Sequence, residues 1–155
     1  MICEGDPLFY GSYMHLHARL APRFDTQVVA GISGMSGCWS AAAIPIAQGD
    51  DVFTVLPATL PERELVRRLA EADAAVVMKI GQHLAKLRRA LKESGRLPRA
   101  LYVERGTMAE EKLIPLADKP DDDAPYFAVV LVPGWEDRPG AKPEATTRAT
   151  SGGEP

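Results

Sequence analysis

The amino-acid sequence predicts an α/β protein, and three observations carry that expectation. From Asp51 the chain alternates strand, helix, strand, helix, strand, the pattern that lays helices on a sheet. Ala74 to Ile80 is almost continuously apolar, as a strand buried on both faces requires. Loops of glycine and small polar residues follow the apolar runs, at the strand ends where open α/β sheets take their ligands.

The chain opens on a short apolar start that runs into Gly5-Asp6-Pro7 and is expected to be a strand end turning into a helix. Gly5 allows close backbone approach or a positive φ, Pro7 stiffens the turn, and Asp6 supplies an acceptor for hydroxyl or amino groups. The spacing of Tyr13, Leu16 and Leu20 predicts a helix over 10–20 that stops at Pro22. His15 and His17 on it are two apart and face different sides, so they do not pair on a metal. Thr26 to Val29 is expected to be a short strand. Gly31-Ile32-Ser33-Gly34 then opens a helix running to about Ala43, where small residues serve either close packing or backbone approach to a ligand.

Pro45 and the turn Gln48-Gly49-Asp50-Asp51 break the chain, which places a domain boundary between 47 and 48. Val52 to Leu56 is the next strand. The following helix starts at Pro61, with Glu62 and Glu64 at its positive end and Glu64 spaced to pair with Arg68. A helix over 82–94 buries Leu84, Leu87 and Leu91 and ends at Gly95. Its Lys86, Arg88, Arg89 and Lys92 form a solvated face or, less favoured, meet an anionic substrate. Leu101 to Glu104 is a further strand, followed by the loop Arg105-Gly106-Thr107-Met108. Two late strands, 111–116 and 126–132, are joined across Asp121-Asp122-Asp123 and are expected to finish the sheet antiparallel. Residues 135–155 carry almost no large apolar side chains and are expected to be a disordered tail.

Composition narrows the function classes. With 18 basic and 21 acidic residues among 155 the net charge is -3, which argues against a general nucleic-acid or membrane-surface binder. Cys3 and Cys38 lie outside any close-spaced ligand pattern, so no metal site is expected and both read as reduced, buried thiols. No apolar run reaches bilayer-spanning length and the start lacks a signal-like pattern, so a cytoplasmic setting is expected. The phosphate loop of nucleotide-binding domains is missing from the sequence.

Four strand ends share one order: 4–11, Gly31-Ile32-Ser33-Gly34, Val77-Met78-Lys79-Ile80-Gly81 and Val103-Glu104-Arg105-Gly106-Thr107-Met108. In order and separation they resemble the tetrapyrrole methylases, which methylate corrin and porphyrin precursors. The strings Gly31 to Trp39, Gly49-Asp50-Asp51-Val52 and Pro125-Tyr126-Phe127 resemble the branch acting on precorrin-2 in the cobalamin pathway. The resemblance covers roughly residues 1–134. It implies an S-adenosylmethionine-dependent methyltransferase that is a homodimer, with the cofactor folded between two α/β domains.

Carried over position by position, the resemblance implies cofactor contacts at Gly5, Asp6, Phe9, Ser33, Gly34, Met78, Gly106 and Thr107. Tyr10, Glu104 and Arg105 would adjoin the tetrapyrrole; Glu104 and Arg105 either pair with each other or face its carboxylates. No residue is assigned as catalytic, and no metal is implied. Ala30 stands where the family usually has proline, which loosens that turn.

The resemblance further implies that residues 1–47 are the C-terminal part of an N-terminal parallel-sheet domain, and 48–134 a complete mixed-sheet C-terminal domain. The strands and first glycine loop that precede Gly-Asp-Pro in the family are missing from this sequence. An N-terminally truncated chain is therefore expected, and the alternative function is a non-catalytic fragment that dimerises or binds cofactor weakly.

Overall fold

The computed structural model describes residues 1–134; the tail expected over 135–155 lies outside the described residues. The described chain forms α1 (Tyr13–Leu20), α2 (Gly34–Ala41), β1 (Phe53–Pro57), α3 (Glu62–Glu71), β2 (Ala74–Met78), α4 (Leu84–Glu93), β3 (Leu101–Glu104), β4 (Lys112–Pro115) and β5 (Ala128–Val132), with three single 3-10 turns between them. This is the mixed α/β architecture the sequence predicts.

The sheet runs in the order β1-β2-β5-β3-β4. β1 and β2 are parallel, and β5 pairs antiparallel with both β2 and β3. β1, β2 and β3 therefore point the same way, and their carboxyl ends share one rim. β4 closes the far edge antiparallel to β3. The two late strands are thus present but are not each other's neighbours: β5 inserts between β2 and β3. Its five residues, Ala-Val-Val-Leu-Val, are all buried, a composition suited to the middle of a sheet, whereas β4 begins with exposed Lys112 and Leu113.

The pleat sends alternate side chains to opposite faces, and each face has its own core. On one, Ala75, Val77, Tyr102, Val130 and Val132 meet Leu65, Leu69, Leu84, Leu87 and Leu91 of α3 and α4. On the other, Val76, Leu101, Val103, Val129 and Leu131 meet Cys38, with Met35, Trp39, Phe53 and Met78 packed around them. The helices form where expected because their apolar residues recur at three and four. Glu64 bonds both Arg67 and Arg68, and Gly95 takes the left-handed φ of +73° that ends α4.

Three expectations fail before residue 48. The strand expected over Thr26 to Val29 does not form, because no described segment exchanges ladder bonds with it; Val29 and Ile32 stay 79% and 77% exposed. The first residues form turns rather than a strand end. The first helix begins at Tyr13, not Tyr10, because Tyr10 has a φ of +53°, outside the helical region. None of its residues is buried, so Tyr13, Leu16 and Leu20 mark a helix face without a core beneath it.

Candidate functional site

The site is built around the first turn of α2. Ser33 caps it: its Oγ accepts from the Ser36 amide at 3.3 Å and lies 2.6 Å from the Ser36 hydroxyl. The amides after Ser33 are among those a helix leaves without internal partners. A Cβ built on Gly34 would meet nothing within 4 Å, so the turn faces open space.

Asp6 ties the Gly-Asp-Pro loop to this turn. Its carboxylate accepts from the Leu8 amide at 2.9 Å and from the Gly31 amide at 3.0 Å. Each oxygen keeps a further lone pair, so the carboxylate both fastens two loops and still offers an acceptor. The loops touch closely: a Cβ on Gly31 would lie 2.2 Å from the Gly5 carbonyl oxygen. Gly5 itself has a φ of +71°, as its place in the turn demands.

The loop after β3 approaches from the other side. A Cβ on Gly106 would lie 2.8 Å from Cys38 Sγ and 3.2 Å from Val103, and one on Gly37 would sit 3.7 Å from Thr107. Both cysteines read from sequence as buried thiols; Cys3 is only half-buried, but Cys38 is buried and forms the wall for Gly106. Burial, and then the charge of Glu111, push its thiol up against the lowering effect of the Gly106 backbone, which leaves it protonated and a poor nucleophile. Met78, at the end of β2, packs into the same core. Beyond it Lys79 holds its ammonium 4.8 Å over the ring of Tyr10, and Phe9 meets Tyr10 edge to face at 5.0 Å.

Eight of the sequence-derived positions thus join in a chain of contacts along one rim: Gly5, Asp6, Ser33, Gly34, Gly106 and Thr107 directly, Met78 through the shared core, and Tyr10 through Lys79. Phe9 is attached through Tyr10. Backbone conformation marks the same loops. Five described non-glycine residues have positive φ, and four of them are Tyr10 (+53°), Lys79 (+57°), Arg105 (+49°) and Thr107 (+68°). Each such residue costs about 1 to 3 kcal/mol and persists only where surrounding structure imposes it, which is why such residues gather at functional sites.

Glu104 points elsewhere. Alternation puts it with Tyr102 on the α4 face of the sheet, opposite Met78 and Val103. Its carboxylate accepts from the Tyr102 hydroxyl at 2.9 Å and lies 3.4 Å from both Arg105 and Lys112. Of the two arrangements left open for Glu104 and Arg105, they pair. Glu104 also lines an open cavity of about 420 Å³ with Gln82, Lys112, Lys119 and Asp121 to Asp123.

Burial acts to raise the Glu104 pKa, but the Tyr102 hydroxyl, Lys112 and Arg105 together hold it below the usual carboxylate range. A carboxyl depressed in the fold contributes stability that is present above its unfolded pKa and lost as pH falls through its folded one. Tyr102→Phe is expected to raise the Glu104 titration midpoint and to make acid unfolding begin at higher pH. Carboxyl NMR and a pH series of thermal melts check it, and an unmoved midpoint refutes it.

The basic face of α4 is neither solvated throughout nor free for a substrate. Arg88 donates to the carbonyls of Leu116, Lys119 and Asp121 and to Asp122. Lys86 donates to the Leu60 carbonyl and Arg89 to Glu62. Sequence reasoning missed these ties because every partner lies far along the chain. His15 is exposed and His17 bonds the Tyr13 hydroxyl. Among the described residues no group of three or more His, Cys, Asp or Glu could hold a metal, and no helix is long and apolar enough to cross a membrane.

The profile of the tetrapyrrole (corrin/porphyrin) methylases matches residues 1–119. A precorrin-2 C(20)-methyltransferase from Sinorhizobium sp is 63% identical over 139 residues, covering 90% of this chain and 57% of the relative. The chain therefore spans little more than half of that relative's length. Among solved structures, the methyltransferase CobJ superposes with a TM-score of 0.63 at 22% identity, covering 83% of this chain and 61% of the other. A uroporphyrin-III C-methyltransferase from Thermus thermophilus, complexed with S-adenosylhomocysteine, gives 0.58 at 22% identity, over 82% and 62%. At that identity both likenesses establish the fold.

Proposed function

The chain belongs to the tetrapyrrole (corrin/porphyrin) methylases, and from that membership we propose that the protein methylates precorrin-2 at C-20 with S-adenosylmethionine, giving precorrin-3A in cobalamin biosynthesis. The observation that carries the reading is the meeting of the Gly5-Asp6, Gly31 to Gly34, Met78 and Gly106-Thr107 segments at the carboxyl rim of the sheet. The 63% identity to a precorrin-2 C(20)-methyltransferase supports precorrin-2 as the substrate within the family.

The residues at the rim suit such a cofactor. Gly34 leaves open space beside the α2 amides, where a carboxylate is favoured by the helix end. Asp6 offers a spare acceptor to hydroxyl or amino groups, and Met78 an adaptable sulfur for the face of a base. Ser33, Gly106 and Thr107 shape the walls, and Phe9 closes the outer side.

When bound, the sulfonium supplies an already activated methyl group. The protein's task is then to align donor and acceptor carbon and to keep water out. Tyr10 adjoins the tetrapyrrole in this reading, with Arg105 beside it, and Glu104 holds Arg105 from the opposite face.

We assign residues 1–47 to the end of one domain and 48–134 to a second, since every described strand lies between 53 and 132. The reading includes a homodimer and a cytoplasmic setting.

Calorimetry with S-adenosylhomocysteine on the 155-residue chain, followed by assay with precorrin-2, tests the proposal. Micromolar binding together with methylation supports it. Binding without methylation favours the second reading, in which a chain spanning 57% of its relative binds or dimerises without catalysis. Absence of binding refutes both the cofactor assignment and the activity.

A further inference from the structure

Lys79 has no evident structural duty. It follows β2 directly, is exposed, and adopts a φ of +57° between half-buried Met78 and fully buried Ile80. A long side chain in the left-handed region is an expensive way to build a turn that glycine or asparagine makes cheaply. Lys79 forms no ion pair among the described residues. Its ammonium lies instead over the Tyr10 ring, 4.8 Å from the centroid.

Its neighbours in sequence type behave differently. Within residues 48–134, Lys112, Lys119, Arg67, Arg68, Arg88 and Arg89 each meet a carboxylate. Lys86 and Arg96 cap carbonyls. Arg63 and Lys92 are exposed on α3 and α4. Lys79 follows the parallel strand β2 and meets an aromatic face rather than a carboxylate.

A cation over an aromatic face keeps its full charge and its outward N–H donors. The ring fixes where the ammonium stands without neutralising it. Tyr10 is held in turn by its own positive φ and by Phe9. Two residues of positive φ from separate loops therefore meet, with one exposed positive charge between them at the carboxyl rim of the sheet.

We propose that Lys79, positioned by Tyr10, binds a carboxylate of the ligand in this crevice, the acidic side chains of a tetrapyrrole being the source its exposure favours. The inference rests on the function proposed above. The amino-acid end of the methyl donor carries the same chemistry, and the two sources are separated by probe.

Lys79→Asn removes the charge while keeping a residue that tolerates the left-handed conformation, and Lys79→Arg keeps the charge. Binding of sirohydrochlorin, a stable polycarboxylate tetrapyrrole, is followed by fluorescence on the 155-residue chain, and binding of S-adenosylhomocysteine by calorimetry. For Lys79→Asn, sirohydrochlorin affinity is expected to fall about tenfold with a shallower salt dependence. Lys79→Arg is expected to stay within about threefold of wild type, with S-adenosylhomocysteine affinity unchanged in both. A fall confined to S-adenosylhomocysteine supports the carboxylate role with the methyl donor as source. Wild-type affinity for both probes in Lys79→Asn overturns the inference and leaves the methylase reading standing. Wild-type protein that binds S-adenosylhomocysteine but not sirohydrochlorin overturns the tetrapyrrole reading, and this inference with it.

Discussion

Gly31→Ala is expected to weaken cofactor binding about a hundredfold while leaving the sheet folded. The added Cβ would stand 2.2 Å from the Gly5 carbonyl oxygen and 2.8 Å from its carbon. Both are backbone atoms that no rotamer change removes. Restoring ordinary contact requires the two loops to part by about 1 Å. That movement stretches the 3.0 Å bond from the Gly31 amide to Asp6 and displaces the first turn of α2 from the Gly-Asp-Pro loop. A displacement of this size at a positioned ligand costs about a hundredfold in function.

The loops are exposed and the β1–β5 core lies elsewhere, so global stability should fall by only about 1 to 2 kcal/mol. Calorimetry with S-adenosylhomocysteine, read beside a thermal melt, checks both halves. Gly34→Ala is the companion, because its Cβ meets nothing within 4 Å and alanine is the better helix former. It should melt no lower than wild type, and weakened binding there would report space used by ligand rather than by packing. Wild-type affinity in Gly31→Ala would mean that the contact between the loops does not shape the site.

Arg88→Met is expected to lower stability by about 2 to 3 kcal/mol, because removing one partner leaves acceptors unsatisfied. For a chain of this size that is roughly 6 to 9 °C in melting temperature. The guanidinium, 23% exposed, gathers the carbonyls of Leu116 at 2.6 Å, Asp121 at 3.0 Å and Lys119 at 3.2 Å, and the Asp122 carboxylate at 2.9 Å. Four acceptors on one stretch depend on a single planar fork. The hydrophobic stem is retained in methionine, so the loss reports hydrogen bonding rather than packing. Arg88→Lys should recover only part of it, since a point cation cannot reproduce the fork. Hydrogen exchange should rise first over 116–125, the strap between β4 and β5. A melt within 1 °C of wild type would show that water replaces the guanidinium without cost.

The candidate site was legible to the extent that its parts are loops with local signatures. Gly5-Asp6-Pro7 and the Gly31 to Gly34 loop could be marked as loops because glycine and a helix start are properties of a few neighbouring residues, whereas Met78, Gly106 and Thr107 were singled out only by the family resemblance. Their mutual arrangement was not legible. Gly106 gives no sign in sequence that Cys38 lies against it, and Asp6 none that its carboxylate is already engaged by Gly31. Nothing in the sequence singles out Lys79 within its motif, and only its backbone angle and its place over Tyr10 set it apart. Glu104 was grouped with Arg105 by adjacency, whereas the pleat sends it to the opposite face from Met78.

The sequence by itself determined the α/β class and the nature and order of the elements from residue 53 onward, because hydrophobic period, caps and breakers act over a few residues. It could not decide that 25–33 would remain without a ladder, since a strand exists only beside a partner. The tertiary structure alone decided that β5 enters between β2 and β3, that the acidic strap hangs from Arg88, and that the Gly-Asp-Pro loop and the loop after β3 close on the start of α2. Strand pairing, carbonyl capping and close glycine contact are all satisfied between residues far apart in the chain, and no local pattern records which distant group will satisfy them.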